Sequence, residues 1–120
     1  MAKVREVMKT NLHTVGPEDT VGEAVAVMAQ HRIGSVLVME SERLLGIFTE
    51  RDTVRALSQA HDAARHEITS WMTHGPRTVG PDVDTDEALH TMLDNGFRHL
   101  PVVENGKVVG MVSMRDLAGG

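Results

Sequence analysis

Residues 46–52 read Gly46-Ile47-Phe48-Thr49-Glu50-Arg51-Asp52, and residues 110–116 read Gly110-Met111-Val112-Ser113-Met114-Arg115-Asp116. Each stretch is a glycine, two apolar residues, a hydroxyl residue and, three places on, an aspartate. The offset between them is 64, and the match continues outward on the N-terminal side. Without a gap it pairs Met8 with Met72, then Thr14-Val15-Gly16-Pro17 with Thr78-Val79-Gly80-Pro81. It goes on to pair Glu23-Ala24 with Glu87-Ala88, Met28 with Met92, Val38 with Val102 and Glu40 with Glu104. The total is 13 identities over the 50 positions from Val4 to Thr53, against about 3 expected by chance. The chain is a tandem duplication.

Each copy reads alike. Thr14-Val15 and Thr78-Val79 predict short extended pieces closed by Gly-Pro. Thr20 with Glu23, and Asp84 with Glu87, have capping-box spacing, so both following helices are expected to have their free N–H groups satisfied. Val21, Ala24, Val25, Met28 and Ala29 recur at helical spacing, as do Ala88, Leu89, Met92 and Leu93. Apolar strands follow at Val36–Met39 and Leu100–Val103. Asn105-Gly106 predicts a tight hairpin, because both residues tolerate positive φ. Return strands run Leu44–Phe48 and Val108–Val112, and second helices begin at Thr49 and Ser113. The order is β-α-β-β-α, twice: one repeat in 1–60, the other in 61–120, with Ser58–Glu67 as the joining segment. About 50 residues cannot cover both faces of a three-stranded sheet, so the α+β repeats are expected to pack sheet to sheet.

Composition removes several functions. The absence of Cys excludes disulfides, thiolate metal sites and a thiol nucleophile. A net charge of −5 and only two Phe and one Trp leave little to hold a nucleic acid by charge or by stacking. No apolar run approaches the roughly 20 residues of a membrane span. A soluble, cytoplasmic protein that binds neither membrane nor nucleic acid is expected. The seven His show no metal-ligand spacing, and no nucleophile motif is present, so neither a metal site nor an enzyme is expected. The Met residues fall mostly at core spacing.

The paired end motifs, together with Arg98-His99-Leu100-Pro101-Val102-Val103, resemble the cystathionine-β-synthase-type (CBS) domain pair of the stand-alone, two-repeat kind, over Val4 to Leu117. The resemblance implies a module with pseudo-two-fold symmetry that binds adenosine-containing ligands in clefts between its repeats: AMP, ATP or NAD foremost, with ADP and S-adenosylmethionine as further candidates. It implies homodimerisation and regulation of a partner protein that the sequence does not name. Exposed positions Val54 and Leu57 are the expected dimer contact.

An adenosine ligand asks for particular groups. Its ribose diol suits a carboxylate, here Asp52 and Asp116. Phosphates suit helix starts with hydroxyls, here Thr49 and Ser113, and cations such as Arg51 and Arg115. The adenine suits apolar slots, with Val15, Ile33 and Val36 lining one and Val79, Phe97 and Leu100 the other. Related modules place a basic pair on the phosphates, which implies one cleft of Thr49, Asp52, Arg98 and His99. The other would join Ser113 and Asp116 to Gly34 and Ser35. Two plainer readings stand beside this one. Thr-x-x-Asp and Ser-x-x-Asp are helix caps without any ligand, and the whole chain would then be a structural dimerisation module.

Overall fold

The computed structural model describes residues 2–119 and sets the two Gly-x-x-hydroxyl stretches on the return strands of two matching hairpins. In chain order the elements are α1 (Val4–Val7), β1 (Thr14–Val15), α2 (Val21–His31), β2 (Ser35–Glu40), β3 (Arg43–Thr49) and α3 (Glu50–Gln59). Two 3-10 turns (Ala63–Arg65 and Ile68–Ser70) lead to β4 (Thr73–His74). There follow α4 (Thr85–Asn95), β5 (His99–Glu104), β6 (Lys107–Ser113) and α5 (Met114–Gly119). The mixed α+β content is as expected, and so is the order of the first copy; in the second, Thr78-Val79 makes an isolated bridge at Val79 in place of the expected strand, and β4 lies ahead of it.

The compact units cut the chain differently from its repeats. One unit is His13–Pro76; the other joins the opening segment, through Leu12, to the residues from Arg77 on. In the first unit the sheet order is β1-β2-β3-β4, so an edge strand comes from the start of the second repeat. In the second unit, Lys9 from the start of the first repeat pairs with Met111 of β6, exchanging two backbone hydrogen bonds of 2.8 and 2.9 Å. Val79 bridges Val102 in parallel, as β1 pairs β2. Each copy's opening segment therefore finishes the sheet that holds the other copy's hairpin.

The end-motif glycines make this possible. A Cβ at Gly46 would sit 2.6 Å from Met72 Sδ and 2.8 Å from the Thr73 carbonyl oxygen. A Cβ at Gly110 would sit 2.6 Å from Met8 Sδ and 2.9 Å from the Lys9 carbonyl oxygen. No side chain fits where another strand's backbone comes this close. Both hairpins also bulge at the same point, after Val38 and after Val102, which leaves Leu45 and Val109 as the extra residues.

Each unit has its own core. Val21, Ala24 and Met28 of α2 pack with Val36, Val38, Phe48, Ile68 and Met72 in one. Ala88 and Met92 of α4 pack with Val4, Leu100, Val102, Val112 and Leu117 in the other. Burying each such large side chain stabilises the fold by about 1.5–3 kcal/mol. Met28 and Met92 are core residues, as their spacing predicts. The Asn105-Gly106 turn forms with φ of 53° and 79°.

Two expectations need correction. The Thr20–Glu23 capping box forms, with bonds of 3.1 and 2.9 Å. Asp84, however, makes no side-chain cap. Its Oδ1 accepts from Lys3 Nζ at 2.7 Å, and the Thr85 N–H is taken instead by the Ala2 carbonyl at 2.9 Å. The segment Ser58–Glu67 is not a free joint either. It ends α3, and then Val21 N–H donates to the His66 carbonyl, Glu67 bridges Thr20, and Ala63 is buried. Ile68, just beyond it, packs in the first unit's core.

Candidate functional site

Thr49 ends β3 with extended φ and ψ and caps α3. Asp52 N–H donates to Thr49 Oγ1 at 3.2 Å, while Asp52 Oδ2 accepts from Thr49 N–H at 3.0 Å and from its hydroxyl at 3.2 Å. Ser113 and Asp116 repeat the pattern: Asp116 N–H donates to Ser113 Oγ at 3.1 Å and Asp116 Oδ2 accepts from Ser113 N–H at 2.9 Å. The capping reading of these four residues is thus realised. It leaves the second carboxylate oxygen of each aspartate outside the cap.

Those second oxygens meet different cations. Asp52 Oδ1 accepts from Arg55 Nη2 at 3.3 Å, and the same Nη2 donates to the Trp71 carbonyl oxygen at 2.7 Å. The Arg55 guanidinium lies 5.5 Å from the centre of the Trp71 ring. Asp116 Oδ1 has the more exposed Lys9 ammonium at 3.8 Å. An aspartate three residues into a helix is also favoured by the helix dipole.

The helix starts are less open than expected. Glu50 N–H donates to the Gly34 carbonyl at 3.1 Å, and Met114 N–H to the Arg98 carbonyl at 2.8 Å. With the cap bonds, three N–H groups at each helix start are therefore engaged. The strand-start residues are brought to the caps within each unit: Ser35 pairs with Thr49 across β2–β3, and His99 with Ser113 across β5–β6. Arg98 is exposed and His99 half-buried; Arg51 and Arg115 are both exposed.

Of the six slot residues, Ile33, Val79 and Phe97 keep accessible surface, and Val15 is nearly covered. Val36 and Leu100 are 1% and 0% exposed. They lie inside the core and present no surface of their own, because each is the first apolar residue of a strand whose face is the core.

Sequence reasoning missed the Arg55–Trp71 contact and a stacked pair of imidazoles, His13 and His31, with ring centres 4.0 Å apart. Neither carries a local signal, since partners 16 and 18 residues apart meet only through the fold. Among the described residues no three His, Cys, Asp or Glu gather where they could hold a metal ion, and no helix is long and apolar enough to cross a membrane.

The CBS domain model matches residues 4–59 and again 66–119. The chain belongs to the CBS domain family. An uncharacterized 17.7 kDa protein of Acidianus ambivalens is 42% identical to it over 118 residues, 97% of this chain and 71% of that one. A CBS-domain containing protein from Agrobacterium tumefaciens, solved by crystallography, is similar with a TM-score of 0.94 at 32% identity over 98% of each chain. The CBS domain pair of protein MJ0100, crystallised with 5′-methylthioadenosine and S-adenosyl-L-methionine, gives a TM-score of 0.90 at 25% identity over 99% of this chain and 94% of that one. Ligand binding by a regulatory module is what this CBS pair's relationships support.

Proposed function

We propose that this CBS domain pair is a regulatory sensor of adenosine-containing small molecules, with no catalytic activity of its own. One observation carries the reading: two Ser/Thr-capped aspartates, Asp52 buried and Asp116 half-buried, each with one carboxylate oxygen outside its cap, in a chain similar to a CBS pair crystallised with two adenosine derivatives. Asp52 and Asp116 would accept from ribose hydroxyls. Arg98 and His99, with Arg51 and Arg115, supply the charge that phosphates need, since part of each helix start is already engaged. Ile33, Val79 and Phe97 offer apolar surface to adenine. AMP, ADP, ATP, NAD and S-adenosylmethionine are the ligands to try, with AMP, ATP or NAD first.

A ligand of this kind acts by binding one conformation better than another, and the population shift is what a partner protein reads. The cytoplasm, where adenine nucleotides are abundant, is the compartment this reading implies. Homodimerisation belongs to the same proposal and is favoured by the apolar face of α3, where Val54 and Leu57 are 69% and 51% exposed.

Native mass spectrometry of gently purified protein reports both points, a copurified nucleotide and the subunit count. Thermal melting with millimolar ligand then ranks the candidates, because a ligand at 100 times its Kd stabilises by about 2.7 kcal/mol. If none of the five ligands moved the melting temperature, the structural dimerisation module would replace the sensor.

A further inference from the structure

The Asp52 carboxylate is tied to the only tryptophan of the chain. Arg55 Nη2 donates at once to Asp52 Oδ1 (3.3 Å) and to the Trp71 carbonyl oxygen (2.7 Å), and the guanidinium packs against the Trp71 ring. Trp71 is held from its other edge as well. Its Nε1–H donates to His66 Nδ1 at 3.0 Å, and His66 Nε2 lies 3.1 Å from Asp62 Oδ1. All five residues belong to the unit His13–Pro76. Trp71 leads directly into Met72, which fills the space over Gly46, and into β4.

We infer that Arg55 is a positioning residue that relays the occupancy of Asp52 to Trp71 and the strand behind it. The inference rests on the ribose-binding reading of Asp52 and adds how that site is read out. Of the two bonds made by Nη2, the one to Asp52 is the longer. A hydroxyl that donates to Oδ1 competes with that bond. Arg55 then stays on the Trp71 carbonyl, and its charge shifts against the indole face, where a cation interacts directly with the ring.

The relay belongs to one unit only. At the offset of 64, Arg55 corresponds to Gly119 and Trp71 to Val7, and the second carboxylate has Lys9 instead. Occupancy of Asp116 is therefore silent in this channel. The asymmetry makes the second site an internal control.

Trp71 fluorescence tests the relay at one fixed pH, first without ligand. Asp52→Asn, whose amide oxygen can still serve the cap, should shift the emission of Trp71; Asp116→Asn should leave it unchanged. In an Arg55→Met background, Asp52→Asn should have no further effect. With AMP as the probe, the emission change should saturate together with the calorimetric heat in Asp116→Asn, where the Asp52 carboxylate alone remains. In Arg55→Met the heat should remain and the emission change should vanish. Heat without an emission change in Asp116→Asn would overturn the relay and leave the sensor standing. An absence of heat would sink the sensor, and the ligand-free arm would still decide the relay, which an unmoved emission in Asp52→Asn refutes.

Discussion

The two compact units share a backbone plan and differ in the side chains around it. Both have a hairpin bulged at the same residue, a glycine under a methionine, and a hydroxyl–aspartate cap at the start of the second helix. Around those caps they part. One has Gly34-Ser35 at the strand start and the Arg55–Trp71 clamp on its aspartate; the other has Arg98-His99 and a looser lysine. Duplication has kept what the backbone needs and changed what a ligand would meet.

The largest effects are expected where the units agree. Gly46→Ala and Gly110→Ala each push a Cβ into a methionine sulfur and a carbonyl oxygen, and overpacking of this kind costs about 1–3 kcal/mol. Denaturant unfolding should find the two changes similarly harmful. A neutral result for either would show that its sheet does not depend on the exchanged segment. Next come the caps. Thr49→Ala and Ser113→Ala should each cost about 0.5–2 kcal/mol without ligand.

Smaller effects are expected where the units differ. Arg32 ends α2 with φ of 55°, at the position where Gly96 ends α4 with φ of 72°. Arg32→Gly removes a left-handed penalty of about 1–2 kcal/mol and adds about 0.5–1 kcal/mol of glycine entropy. A modest rise in the melting temperature should follow, and a fall would show that the Arg32 side chain does more than end the helix.

The smallest effect concerns Asp84, which lost its capping role to Lys3. The hydrogen bond from Lys3 lowers the Asp84 pKa, and the same bond raises that of Lys3. The sign follows for each group. Asp84 contributes stability that is present above its ordinary pKa and lost as pH falls through the lowered value. Lys3 contributes stability that is present below its ordinary pKa and lost as pH rises through the raised one. The difference between wild type and Asp84→Asn in denaturant unfolding should be flat near neutrality, shrink in acid and weaken in high salt, both groups being exposed. A difference independent of pH would show that the pair plays no part.

How much of this was legible in the sequence follows from how local each signal is. The Asn105-Gly106 turn, the Thr20–Glu23 box and the Thr49–Asp52 and Ser113–Asp116 caps are set within four residues, and the sequence shows them directly. The repeat fixed the element order and pointed to the family. The exchange of opening segments was not legible. Met8 and Met72 match each other equally well, so a repeat cannot say which copy's segment lies over which glycine. Asp84 illustrates the same limit, since a lysine 81 positions away overrides a local capping pattern. The Arg55 clamp stayed hidden because its anchor is a backbone oxygen, to which no residue type corresponds.

Calorimetric titration of nucleotide-free protein with AMP, beside Asp52→Asn and Asp116→Asn, tests the central claim most directly. Hydrogen bonds to a charged group contribute about 1.5–3 kcal/mol, so at least one substitution should weaken binding by about tenfold or more. Equal affinity in all three proteins would contradict the account.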